Sequence, residues 1–259
     1  MERTTNLTRI LTITSIMVVI GCGGKPEPAN ATSEAQSSSQ RLVVAQATGT
    51  ATASGQVSLS GAAPKAKKLK MSADPVCQAQ HAGDILSQEV LVKNGKLKNV
   101  FVYVKKGLEG QSFPAPKTPV EVDQVGCIYT PHVFGVQAGQ QVQIKNSDST
   151  LHNVNCKPKL NRRFNIAQPV KGMKSMKKFD KAELGIPFMC NVHPWMKAYA
   201  HVVDHPFFAV SDEDGNFAIS GLPAGTYTLE AVHESLGTAT ETVTLAGGET
   251  AAASFTFKA

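Results

Sequence analysis

The sequence predicts an all-β protein made of two small sandwiches. Three observations point there. No long stretch carries the apolar period of a helix. Short alternating or β-branched runs recur along the chain. Gly, Pro, Asn and Asp punctuate those runs at turn positions.

The runs can be taken in order. Residues 53–61 alternate through Gln56, Val57, Ser58 and Leu59. Residues 99–104 hold Val100, Phe101, Val102, Tyr103 and Val104, a strand-forming set. In 139–146, Val142 and Ile144 alternate with Gln141, Gln143 and Lys145. Runs at 186–192 and 198–203 flank a tight loop, and four more follow at 216–219, 226–232, 241–245 and 251–257.

The N-terminus reads as a targeting segment. Arg3 and Arg9 precede an apolar stretch at 10–20 that is too short to span a bilayer. The junction Val19-Ile20-Gly21-Cys22 resembles the bacterial lipobox. That resemblance implies a signal peptide at 1–21, lipidation of Cys22 and a membrane anchor, on an exported protein at the periplasm or outer surface. The alternative is an ordinary signal peptide with an incidental Cys. Residues 22–52 are rich in Ser, Ala, Thr and Gly and read as a flexible tether.

Two stretches carry most of the chemistry. The first is Phe188-Met189-Cys190-Asn191-Val192-His193-Pro194-Trp195-Met196, with the spacing Cys-x2-His-x2-Met. A thiolate ending one strand, an imidazole in the next loop and a thioether beyond it can face one point. With a second imidazole, that donor set suits blue copper. Upstream, Asn146-Ser147-Asp148-Ser149-Thr150-Leu151-His152-Asn153-Val154 follows the 139–146 strand and offers one.

Together the two stretches resemble the cupredoxins, in particular plastocyanins and, in ligand-loop length, amicyanin. The resemblance implies a Greek-key sandwich over 118–204 holding one type 1 copper. It assigns His152 as a buried ligand, Cys190 as the thiolate, His193 as a ligand at the solvent edge and Met196 as a weak axial donor. Asn153 takes the position that ties the two ligand loops together, and Pro194 shapes the second loop. The alternative is a copper-free sandwich with an inert Cys190.

A second resemblance lies in Asp214-Gly215-Asn216-Phe217-Ala218-Ile219 and Gly221-Leu222-Pro223-Ala224-Gly225-Thr226-Tyr227. These look like the transthyretin-like, carboxypeptidase regulatory-like sandwich, over 205–259. That family opens with strands like those around Gly55-Gln56-Val57 and Val100 to Val104, so residues 53–117 are expected to belong to it. The copper sandwich is then inserted within the second one, or the two follow in series.

Three further cysteines need assignment. In an exported protein, Cys77 and Cys127 read as a disulfide. The alternative is a Cys2His2 site from Cys77-x3-His81 and Cys127-x4-His132. Cys156 reads as a free thiol; a disulfide to Cys190 is the alternative, and it would remove the copper thiolate. His201, His205 and His233 read as ordinary surface or strand residues.

Between Lys157 and Lys181 there are nine cations and one Asp, an excess larger than the chain's net +6. They read either as a solvated, mobile loop or as a docking surface for an acidic redox partner, such as a c-type cytochrome, or for anionic headgroups. No aromatic interleaving supports nucleic acid. The expected function is single-electron transfer rather than enzymatic catalysis. Copper storage or delivery, or a metal-free surface interaction or glycan-binding module, are the alternatives.

Overall fold

The computed structural model describes the strand Val43–Val44 and residues 49–259. The proposed signal peptide, Cys22 and most of the tether lie outside the described residues. Among the described residues the one helix is Pro75–Ala79, and every other regular element is a strand. The protein is all-β.

The first sandwich packs two sheets by strict alternation. Along Thr250–Lys258, Ala253, Phe255 and Phe257 are buried while Ser254 and Thr256 are exposed. Successive side chains point to opposite faces of a strand, so this pattern makes one face core and the other solvent. One sheet runs Phe208–Val210, Phe101–Lys106, Gly225–His233, Gly237–Leu245. In the other, Ala51–Ser60 pairs in parallel with Thr250–Lys258 and antiparallel with Asn216–Leu222. Ala51 is fully buried, so the strand begins inside the stretch read as tether. Val43–Val44 also pairs, in parallel, with Gln111–Ser112. The core between the sheets includes Val57, Leu97, Val102, Leu229, Phe217 and Phe255.

Phe101–Lys106 and Phe208–Val210 are hydrogen-bonded neighbours in one sheet. Between them in sequence, the chain builds the whole second sandwich. One of its sheets runs Lys174–Lys178, Gln141–Asn146, Val120–Val125, Ile128–Thr130. The other runs Phe164–Gln168, His152–Cys156, Glu183–Met189, Lys197–Val203, Val133–Gln137. Its core is a cluster including Val122, Ile144, Val154, Phe134, Phe179 and Phe188, with Phe188 edge-on to Phe134.

The nine-cation stretch is not one continuous loop, although six of its cations lie between strands. It contributes the outermost strand of each sheet, Lys174–Lys178 and Phe164–Gln168. Lysines on such an outer strand discourage pairing with other chains.

The two sandwiches meet through Phe101, Val133 and Val203. A Cβ on Gly135 would lie 2.3 Å from the Phe208 ring, so the close approach there requires glycine. His201 stacks on Phe101 at 4.4 Å, and both it and His233 are buried strand residues, one of the two places expected from sequence. With no charge to pair it, burial pushes the His201 pKa down to about 3.

Candidate metal centre

The strand Gln141–Asn146 ends at a buried Asn146, which organises the first ligand loop. Its Nδ2 donates to the carbonyls of Thr150 and Gln168, and its Oδ1 accepts from the Asp148 amide. The loop thereby places His152 at the start of the next strand, fully buried. The second ligand loop closes on itself: the Cys190 amide donates to the Met196 carbonyl, and the Met196 amide donates to the His193 carbonyl. Asn153 ties the two loops. Its Oδ1 accepts from the amides of Asn191 and Val192, and its own amide donates to Cys190 Sγ at 3.5 Å.

Three donor atoms converge within 4.8 Å of one another: an imidazole nitrogen each from His152 and His193, and Cys190 Sγ. The two Nδ1 atoms are 2.9 Å apart, and Cys190 Sγ is 3.8 Å from His193 Nδ1. Met196 is buried in the same core cluster. Pro194 is exposed at the loop tip.

The ring nitrogens that face away from this point are also committed. His152 Nε2 donates to Asp148 Oδ2 at 2.9 Å, and His193 Nε2 donates to Asp74 Oδ2 at 2.9 Å. A carboxylate can only accept, so both Nε2 atoms carry a proton, and in the neutral rings both Nδ1 atoms present lone pairs to each other. Two lone pairs at 2.9 Å repel unless a cation, a proton or a metal ion, lies with them. The donor set therefore fits a soft, imidazole-tolerant metal such as copper.

Electrostatics set the protonation states that a metal would meet. Burial opposes ionisation of Cys190, but His152 and the amides of Asn153, His193 and Val192 outweigh it and hold the thiol below its ordinary range. Burial likewise opposes a charge on His152, yet Asp148 and Cys190 push its pKa up to about 9, so a metal binding at Nδ1 has a proton to displace. Cys156 is different: it is buried and free, and burial pushes its thiol up, so it stays neutral. No Cys156–Cys190 disulfide forms.

His193 was expected at the solvent edge, and the structure corrects this: it is 2% exposed. The cover comes from outside the sandwich. Asp74 caps the helix Pro75–Ala79, accepting from the amides of Val76 and Cys77, and also accepts from Thr150 Oγ1. Cys77 is disulfide-bonded to Cys127. Gly126 and Cys127 both have positive φ, 65° and 53°, and form the two-residue turn joining Val120–Val125 to Ile128–Thr130. That turn serves the site twice: its two amides donate to Asp148, and the Cys127 carbonyl accepts from Trp195 Nε1.

The Cys2His2 alternative is excluded. His81 Nε2 donates to the Gly126 carbonyl, and His132 lies between the Lys197 carbonyl and Glu234. Sequence reasoning missed Asp74 and Asp148. The spacing Asp148-x3-His152 was a visible signal for the second. Asp74-Pro75 signals only a helix cap, with no hint of His193.

Residues 201–258 match the family model of the carboxypeptidase regulatory-like domain. The chain also bears likeness to solved copper proteins. A copper-containing nitrite reductase from Thermus scotoductus is 18% identical, over 45% of this chain and 25% of that one, with a TM-score of 0.30. A purple cupredoxin from Nitrosopumilus maritimus is 19% identical, over 32% of this chain and 99% of that one, with a TM-score of 0.29. A reduced Cu(I) form of an amicyanin variant is 21% identical, over 34% of this chain and 85% of that one, with a TM-score of 0.30. This chain spans about a quarter of the nitrite reductase's length. No curated protein sequence matches it significantly.

Proposed function

We propose that the second sandwich holds one type 1 copper through His152, Cys190, His193 and Met196, and that the protein carries single electrons. The observation that carries this reading is the pair of opposed Nδ1 atoms beside Cys190 Sγ, with both Nε2 atoms already committed to carboxylates. Bound there, copper would supply one-electron exchange between its cupric and cuprous states.

The chain's own residues would keep the site unchanged between those states. Asn153 holds both ligand loops in register, and its amide and that of His193 donate to Cys190 Sγ. The carboxylates fix the ring orientations. His152, Cys190 and His193 are all at most 3% exposed, which leaves no open position for a substrate and favours a carrier over an enzyme.

Because His193 is covered, its edge is not the way out for an electron. Trp195 is better placed: its ring centre is 5.0 Å from that of His193, and it lines an open groove of about 730 Å³. Val192, Pro194, Lys67, Lys68 and Lys70 line the same groove. Apolar contact beside exposed lysines suits an acidic redox partner. As part of the same proposal, the protein is exported and anchored to a membrane through lipidated Cys22.

The test is to load the purified protein with Cu(II), measure metal content and record the visible spectrum. A stoichiometric, intensely blue protein is expected. Stoichiometric but colourless protein would favour copper storage or delivery, and no binding would favour a metal-free interaction module.

A further inference from the structure

The two carboxylates behind the ligand imidazoles have no part in the donor set, yet each is built into place. Asp148 is 2% exposed; its two oxygens take the amides of Gly126 and Cys127, both at 2.8 Å, as well as His152. Asp74 takes two amides, the Thr150 hydroxyl and His193. The two arrive by different routes. Asp148 belongs to the first ligand loop. Asp74 lies 119 residues from His193, on a segment outside the sandwich that the Cys77–Cys127 disulfide fastens over the site.

An imidazole that donates its far N–H to a carboxylate becomes a stronger base at its other nitrogen. Here both imidazoles are so partnered. With the Cys190 thiolate, three negative charges then surround the metal position, Cys190 and Asp148 buried and weakly screened and Asp74 partly exposed. A doubly charged cation balances them better than a singly charged one.

We propose that Asp74 and Asp148 are positioning residues that bias the site toward Cu(II), with Asp74 supplied from outside the copper sandwich as a disulfide-pinned cover. This rests on the copper reading above. Its consequence is a reduction potential set partly by a segment that is no part of the β-sandwich holding the ligands. The cover also makes His193 inaccessible to exogenous ligands, whereas an exposed imidazole edge would admit them.

The experiment compares the full chain with Asp74→Asn, Asp74→Ser and Asp148→Asn, each loaded with Cu(II). Asn and Ser both still cap a helix, so either can replace Asp74 without unfolding the cover. Each variant is expected to keep one copper and its blue band. In each, the ratio of Cu(I) to Cu(II) affinity should rise about tenfold, read as a potential about 59 mV higher. Asp180→Asn removes an exposed carboxylate paired with Lys178 and should leave the potential unchanged. Proton NMR of the unsubstituted protein in its Cu(I) form checks the geometry without any variant: both Nε2–H protons should be protected from water.

A parent protein that is blue, with Asp74 and Asp148 variants at the parent potential, overturns this proposal and leaves the copper reading standing. Fast exchange of the His193 Nε2–H does the same. A parent that binds no copper, or stays colourless, fails the copper reading itself.

Discussion

The two sandwiches have the same two-layer plan and differ in what they bury. The core of the first is apolar throughout, from Ala51 and Val57 to Phe255 and Phe257, and its buried polar residues include only Asn99, Ser211, Glu230 and His233. The second buries Gln124, Asn146, Asp148, His152, Asn153, Gln168 and His193, gathered around the two ligand loops. Burying polar groups costs free energy unless every one finds a partner. A folding requirement alone would not collect them. The first sandwich shows what stability needs in this protein, and the departure from it in the second marks the candidate site.

Substitutions can break or sharpen that contrast. The largest effect is expected at Cys190. Cys190→Ser removes the only ionisable thiol among the converging donors and should abolish the blue band outright, while thermal unfolding of the copper-free protein changes little. Colour that survives would move the thiolate to Cys156 and erase the distinction drawn here.

The cover is next. Replacing Cys77 and Cys127 with Ala opens a loop of 50 residues and should cost about 4 kcal/mol by chain entropy. Chelator competition should also strip copper faster from that variant, because Asp74 is no longer pinned over His193. Unchanged release would mean the segment is structural only.

In the first sandwich the same kind of change should be silent toward metal. Leu229→Ala, in a fully buried position, should destabilise by about 3 kcal/mol in denaturant unfolding. The blue band should be unmoved. A shifted band would show that the sandwiches are coupled through Phe101 and His201.

That interface carries an effect that appears only as pH falls. His201 titrates near 6.5 when unfolded and near 3 when folded, so the unfolded chain takes up the proton first as pH falls. Its contribution is complete above pH 6.5 and is lost progressively toward pH 3. His201→Phe should therefore gain on the parent by about 1.4 kcal/mol per pH unit across that window, checked by unfolding both at pH 6 and about pH 4. Parallel pH profiles would show that His201 protonates without unfolding.

Much of this was written locally. Period-two alternation in 251–257 and 139–146 determines strands with one buried face, so the all-β class was legible from the chain alone. Cys190, His193 and Met196 sit within one short loop, so their proximity follows from spacing whatever the fold. The histidine that joins them lies 41 residues from His193, and its arrival depends on Asn146 and Asn153 folding two loops together. Whether His193 faces water was beyond any local pattern. That depended on Asp74, a helix cap in an apparently unrelated segment, and on a disulfide to a two-residue turn. Sequence decides what each residue can donate or accept. Only the tertiary structure decides which distant carboxylate completes an imidazole, because a hydrogen bond requires atoms within about 3 Å and says nothing of how far apart they lie along the chain.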